Sequence, residues 1–254
     1  LPEESTPKLL ELAPLPEYKE TTKNIVAALN HRHYIRAILD DDISELIFSS
    51  YLSDIDPSKS YLLAEDIKSF SRFRLELDNA LRRGDIEPAF IIFNLYQEKV
   101  ILRLEKIIAL LETGTDQFNF DEDETLELDR KEAAWAASES ELDDLWRRRI
   151  KNDVLNLRLA KKESQSISEL LLKRYKNRLK RTRQIRSEDV YQLFMNAFTK
   201  TYDPHTQYFS PTTSENFNIN MSLSLEGIGA VLEVEDEYTK VVSLVPAGPA
   251  DKAK

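Results

Sequence analysis

Apolar residues recur at helical spacing along most of the chain. Ile25, Val26 and Leu29 lie on one stripe and predict a helix through the segment TTKNIVAALNHRHYIRAILD. A second helix is predicted for ISELIFSSYLSDI, with Asp41 or Asp42 as its cap. We interpret these stripes as the core of a helix bundle.

Glycine and proline mark the predicted ends of the later helices. The segment LAEDIKSFSRFRLELDNALRRG predicts one helix that closes with a basic last turn and Gly84, as is typical of a helix C-terminus. Pro88 then opens a long helix, with Gly114 beyond its end. A further helix is predicted for SEDVYQLFMNAFTKTY and ends at the Asp-Pro pair 203–204, because proline restricts the residue before it.

The pattern changes near the end of the chain. After NFNINMSLSLEGIG come two short apolar runs, AVLEV and KVVSLV, separated by the acidic turn EDEYT. This arrangement is typical of two strands joined by a turn. The expected fold is therefore mainly α, a multi-helix domain followed by the first strands of an α+β domain.

The composition is that of a soluble globular protein, and it argues against several kinds of chemistry. The 254 residues are ample for a buried core, and no apolar run approaches the roughly 18 residues that span a bilayer. With no cysteine, the chain has no disulfide, Cys-ligated zinc or thiol nucleophile. Only five glycines are present, so most of the chain is poorly equipped for phosphate cradles or oxyanion loops. A net charge of −10 argues against general affinity for nucleic acid.

Charge is sharply divided in the middle of the chain. Residues 116–145 include 12 acidic and 2 basic residues, whereas residues 146–186 include 15 basic and 3 acidic residues. Apolar residues of the basic block, among them Leu171 and Tyr175, form a packing stripe. We interpret this block as solvated helix paired with the acidic block, with nucleic-acid binding as the less favoured alternative.

The segment DIDPSKSYLLAE mimics a calcium-binding EF-hand loop. Oxygen-bearing side chains occupy its ligand positions: Asp54, Asp56, Ser58, Ser60 and Glu65. However, Lys59 replaces the glycine that permits the sharp turn, and its cation repels a metal ion. A turn between helices is therefore favoured, and no metal site is predicted.

The histidines offer little chemistry. His31 and His33 are two residues apart on a predicted helix and point to different sides, so they form a poor metal pair. His205 lies beside Asp203, but no nucleophile-elbow motif accompanies them. A structural turn is favoured there, and no catalytic residue or cofactor is predicted in this chain. The residues of the turn are Asp203, Pro204, His205 and Thr206.

The stretch LEGIGAVLEV predicts an entrance for a peptide. A turn with two glycines that leads into a strand exposes backbone N–H groups able to bind a carboxylate, and the strand offers an edge for an added peptide strand. PDZ domains capture polypeptide C-termini in this way. A generic tight turn is the alternative. The candidate binding residues are Leu225, Glu226, Gly227, Ile228, Gly229, Ala230, Val231 and Leu232.

Several long motifs resemble those of the tail-specific proteases, a family of C-terminal processing proteases. They include ALNHRHY, LDRKEAAWAASESELDDLWRRRIKNDVLNLRLA, SEDVYQLFMNAFTKTYDPHTQYFSP and the ending from NFNINMSLSLEGIG to VPAGPADKAK. The resemblance covers essentially the whole chain. It implies a periplasmic, ATP-independent and cofactor-free serine endopeptidase, with a helical N-terminal domain, a PDZ domain and a protease core that carries a Ser/Lys dyad.

Under this resemblance we expect an N-terminal part of such an enzyme. Residues 1–202 are expected to form the helical domain, 203–222 a connector with the DPHT turn, and 223–254 the beginning of a truncated PDZ domain. No segment matches the Ser/Lys dyad, so the protease core is expected beyond this chain. The chain alone is therefore expected to be inactive.

The resemblance also implies partners and a location. Polypeptide substrates are expected to bind through the carboxylate of a flexible, apolar C-terminus, and a TPR-type lipoprotein is the expected adaptor. The implied compartment is the periplasm, after removal of a signal peptide, with membrane association only through the adaptor. The alternative from another class is a stand-alone helical scaffold or adaptor without an enzymatic parent.

Overall fold

The chain folds into two units, Leu1–Tyr208 and Phe209–Lys254. The computed structural model describes residues 11–222, 228–235 and 238–252. The helices of the first unit are α1 (Tyr18–Arg32), α2 (Asp41–Ile55), α3 (Ala64–Phe70), α4 (Leu77–Arg83), α5 (Glu87–Glu112), α6 (Glu139–Leu159), α7 (Ser164–Arg183) and α8 (Ser187–Thr199). The second unit contains α9 (Pro211–Ser222), the strands β1 (Ala230–Glu235) and β2 (Tyr238–Leu244), and α10 (Pro249–Lys252). This confirms the predicted fold class, mainly α with a small β element at the end.

Two large hydrophobic cores lie in the described part of the first unit, beside a small cluster of Leu63, Ala136 and Leu142, and α5 contributes to both large cores. The first core is formed by α1, α2, α4, α8 and the first half of α5. The second is formed by the second half of α5 with α6 and α7. Tyr96 contacts both cores from the middle of α5. With 26 residues, α5 is about 39 Å long and forms the backbone of the unit.

The predicted boundaries of α5 are confirmed. Pro88 lies in its first turn, where a missing N–H costs nothing. Beyond its end, Gly114 adopts a φ of +96°. Proline and glycine therefore set both ends, as the sequence indicated.

The first two helices differ from their predictions. The helix predicted for residues 21–40 ends at Arg32, because His33 is extended and its N–H bonds to the Leu29 carbonyl. Ile38, which lies within the segment predicted as a helix, is 75% exposed in the loop that follows. The cap of α2 is Asp40, whose side chain accepts the N–H of Ile43, so the predicted cap at Asp41 or Asp42 is wrong.

The single helix predicted for residues 63–84 is also wrong, because the chain breaks between α3 and α4. Ser44 of α2 explains the break. Its buried hydroxyl donates to the Arg74 carbonyl and accepts the N–H of Leu77, both at 2.9 Å. These bonds satisfy backbone groups that an uninterrupted helix would have paired internally. At the other end, Gly84 closes α4 with a φ of +70°, as predicted.

The acidic and basic blocks are paired in part. Glu124 forms ion pairs with Arg147 and Lys151 of α6. The basic residues of α7, in contrast, pair with other helices, as Lys176 does with Glu112 of α5. The predicted pairing therefore holds for α6, whereas Arg174 and Lys176 of α7 pair with acidic residues outside the acidic block.

The second unit contains a β-hairpin. Strands β1 and β2 pair antiparallel, from Ala230 opposite Leu244 to Glu235 opposite Tyr238. The register shifts after Val231, which leaves Val242 as an extra residue on β2. Both strands lie where the alternating pattern predicted them. Helix α9 falls within the segment that the sequence predicted as a connector.

Among the described helices, none combines the length and apolarity that a membrane span requires.

Candidate functional site

The entrance to β1 is formed by Ile228 and Gly229. The carbonyl of Gly229 accepts the N–H of Val245 at 2.8 Å, and the carbonyl of Ile228 accepts the N–H of Ala250, also at 2.8 Å. The end of β2 and the start of α10 therefore hold this turn from one side. Both bonds use carbonyl oxygens of the turn.

Glycine is required at position 229 for two reasons. Its φ is +74°, a left-handed conformation that disfavours other residues. In addition, a Cβ placed there would lie 2.8 Å from Cδ of Pro249. The turn can therefore approach α10 this closely only without a side chain.

The backbone N–H groups of the turn are its second feature. Within the described part of the chain, no acceptor is bonded to the N–H of Ile228 or of Gly229. Successive free N–H groups at a left-handed residue are the arrangement that binds carboxylates in proteins. The turn therefore has donors that an anion could accept.

Strand β1 continues from the turn with side chains on both faces. Val231 is 50% exposed and Leu232 is 49% exposed. Because β1 pairs with β2 along one edge only, its other edge has no partner strand among the described residues. Ala230 opens the strand opposite Leu244. The candidate residues Leu225, Glu226 and Gly227 lie outside the described residues.

The DPHT turn lies at the end of the first unit and binds the loop after α1. Asp203 is buried, and its carboxylate accepts the Tyr34 hydroxyl at 2.7 Å and the N–H of His205 at 2.9 Å. The hydroxyl of Thr206 lies 3.0 Å from Nε2 of His33. Pro204 follows Asp203 and fixes the bend.

These contacts shift the acidity of two groups. The backbone N–H of His205 and, second, the Tyr34 hydroxyl lower the pKa of Asp203. The same hydrogen bond raises the pKa of the Tyr34 phenol. Asp203 is thus held as a carboxylate that fixes two chain segments, and its side-chain partners among the described residues are the Tyr34 hydroxyl and the His205 N–H. The geometry is that of a structural turn.

Sequence reasoning did not find the roles of His33 and Tyr34. They lie about 170 residues from the turn, and His33 was considered only as a metal ligand. The signal in the sequence was the shared presence of ALNHRHY and DPHT among the family motifs. The structure gives a physical reason for that: the two motifs bind one another.

The EF-hand-like segment does not gather its oxygen ligands around one point. The Asp56 carboxylate accepts the N–H groups of Ser60, Tyr61 and Leu62 at 2.9–3.0 Å. Asp54 pairs instead with Lys200, the residue after α8, at 2.8 Å. The segment is a turn closed by a buried carboxylate. Across the described residues, no cluster of three or more His, Asp or Glu side chains is arranged to hold a metal ion.

Comparison of this chain with known proteins identifies a matching family. Residues 25–212 match the family model described as the tail specific protease N-terminal domain. A tail-specific protease from Haemophilus influenzae is 36% identical over 239 residues, which are 94% of this chain and 34% of the relative. The chain therefore spans about a third of the length of this curated relative.

Proposed function

The chain belongs to the tail-specific protease family, and from that premise we propose that it is the substrate-recognition part of an ATP-independent serine endopeptidase. Its substrates are proteins with flexible, apolar C-termini. The Ser/Lys dyad belongs to a part of the enzyme outside residues 1–254. The periplasm as location, the PDZ character of the ending and a TPR-type lipoprotein adaptor are part of the same proposal.

One observation carries the recognition role. The free N–H groups of Ile228 and Gly229 stand at the entrance of β1, whose outer edge has no partner among the described residues. A peptide that adds to this edge would direct its terminal carboxylate to the turn and its backbone to the strand. The exposed Val231 and Leu232 would meet the apolar side chains of that peptide.

In the same proposal, the first unit has a supporting role. Its large hydrophobic cores and the hydrogen-bonded DPHT turn build a packed helical unit that precedes the second unit in the sequence.

Gly229→Ala tests the proposal at the turn. The substitution adds a Cβ that meets Pro249 and strains a positive φ, so it should abolish binding of an apolar peptide with a free C-terminus. Gly114→Ala is the matched control, because Gly114 also has a positive φ but nothing lies within 4 Å of an added Cβ. Equal binding by the two variants would contradict the assignment.

A hydrolysis assay tests the location of the catalytic residues. The pure chain should not cleave an unfolded protein over hours, with cleavage followed by gel electrophoresis and mass spectrometry. Cleavage that a serine-directed inhibitor abolishes would show that the catalytic residues lie within these 254 residues.

A further inference from the structure

Several cationic side chains lie around the turn that follows α2. Most of them contact carbonyl groups or aromatic rings rather than carboxylates. Lys59 donates to the carbonyl of Ala133 at 2.7 Å, and its ammonium lies 5.7 Å from the centre of the Trp135 ring. Nε of Arg130 donates to the carbonyl of Ser58 at 3.3 Å. The one acidic partner of Arg130 is the exposed Glu127, at 3.2 Å.

Two further guanidinium groups lie over aromatic rings on the same side of the molecule. Arg178 of α7 lies 5.4 Å from the centre of the Tyr61 ring, and Arg149 of α6 lies 5.1 Å from that of Trp146. The two rings are themselves 5.3 Å apart. In the described part of the chain, neither guanidinium forms an ion pair or a side-chain hydrogen bond.

The same cluster contains an unsatisfied hydroxyl. Tyr61 is 4% exposed, and no described group is hydrogen-bonded to its buried oxygen. Trp146, beside it, already donates its Nε1–H to the carbonyl of Ser60 at 2.7 Å. Leaving a buried hydroxyl unpaired costs about 1–3 kcal/mol, so such groups usually have a partner.

The nearby acids do not neutralise these cations. The Asp56 carboxylate already accepts hydrogen bonds from three backbone N–H groups of the turn. Asp153 accepts the Tyr175 hydroxyl at 3.3 Å and lies 3.8 Å from Arg174. Burial lowers the pKa of the Arg149 guanidinium, which is the effect expected of a cation without a paired anion.

We propose that this cluster binds an oxyanion, either a carboxylate or a phosphate group. Guanidinium groups donate two parallel hydrogen bonds to such anions, and the rings beneath them keep their planes oriented. Arg149 and Arg178 supply the charge, and the Tyr61 hydroxyl donates a further hydrogen bond. The site lies in the first unit and is independent of the peptide entrance at Gly229.

Calorimetric titration of the whole chain with inorganic phosphate, and separately with N-acetylglutamate, tests the site. At low ionic strength at least one probe should bind with a dissociation constant of about 1 mM or less. The tighter probe identifies the source of the anion, a phosphorylated molecule or an acidic polypeptide. If neither probe binds at tenfold higher concentration, the proposal is wrong.

Variants distinguish a defined binding site from nonspecific attraction of the anion to positive charge. The double variant Arg149→Gln/Arg178→Gln should weaken binding at least tenfold, while Arg181→Gln on the same face of α7 should leave it unchanged. Equal weakening in both would mean that the anion only senses the net charge, and it would overturn the proposal. Circular dichroism confirms that each variant is folded.

Tyr61→Phe addresses the hydroxyl itself. It removes no charge and should weaken binding several-fold while the free energy of unfolding stays constant or rises, because an unpaired buried oxygen is lost. Unchanged anion binding in Tyr61→Phe would exclude the hydroxyl from the site.

Discussion

At the scale of single residues, Asp56 fixes the turn that follows α2. Its buried carboxylate accepts the N–H groups of Ser60, Tyr61 and Leu62, so one side chain satisfies three backbone donors. Within this turn, Lys59 adopts a positive φ of 46°. The residue pattern that mimics a calcium loop therefore has a different cause, which is the need to pair backbone donors at a sharp bend.

Asp56→Asn should be strongly destabilising. An amide presents two donors and only one acceptor oxygen to a set of N–H groups, so the free energy of unfolding should fall by about 2 kcal/mol. Urea unfolding followed by tryptophan fluorescence measures it. Asp54→Asn, which removes only the partly exposed pair with Lys200, should stay within about 0.5 kcal/mol of the parent chain.

The glycines at helix ends offer a second comparison. An added Cβ at Gly84 would lie 2.3 Å from the Lys19 carbonyl oxygen, whereas at Gly114 it would meet nothing. Gly114→Ala should therefore cost about 1 kcal/mol through its positive φ alone. Gly84→Ala should cost about 2–3 kcal/mol, because the clash with α1 is added. Equal losses in thermal unfolding would contradict the role of that contact.

Residue types predicted some of these features and not others. Gly84 and Pro88 act locally, so their effect on α4 and α5 could be read from their immediate neighbours in the sequence. The hydrogen bond from Tyr34 to Asp203 joins residues 169 positions apart. A single sequence contains no distance information of that kind, so this contact could not be derived.

At the scale of elements, tertiary contacts decide where helices stop. The apolar stripe of residues 63–84 is continuous in the sequence. The helix is nevertheless interrupted, because Ser44 of α2 forms hydrogen bonds with the backbone between α3 and α4. Helix α9 was not predicted for a different reason, because its residues PTTSENFNINMS lack a clear apolar stripe. Periodicity alone could predict neither the break nor this helix.

Ion pairs attach the segment between α5 and α6 to the surface of α6. Glu124 binds Arg147 and Lys151 of α6, and the two hydrogen bonds lower its pKa from 4.5 to about 2. Because the folded pKa lies below the ordinary value, this pairing stabilises the fold above pH 4.5. The contribution is lost as the pH falls toward 2.

Glu124→Gln should therefore change how stability depends on pH. The variant should be less stable than the parent chain at pH 6, and the difference should shrink as the pH falls and vanish near 2. Urea unfolding at several pH values gives both curves. Asp123→Asn, at an exposed neighbouring position, should show no such convergence; a constant offset for Glu124→Gln would refute the assignment.

At the scale of the whole molecule, the chain combines a helical unit with a small β unit that contains the proposed peptide entrance. The fold class and both strands could be predicted, because they rest on apolar spacing and on glycine. The free N–H groups at Ile228 and Gly229 were predicted only in outline, since their availability depends on which carbonyls the rest of the unit uses. The cation cluster at Tyr61 could not be predicted, because it assembles side chains from two helices and two loops.

The central claim is recognition of a free carboxylate at the entrance of β1. Titration of the chain with an apolar peptide, as the free acid and as the C-terminal amide, tests it most directly. Charged hydrogen bonds from the turn contribute about 1.5–3 kcal/mol, so the free acid should bind roughly 10- to 100-fold more tightly. Equal affinity for acid and amide, or no binding of either, would contradict the claim.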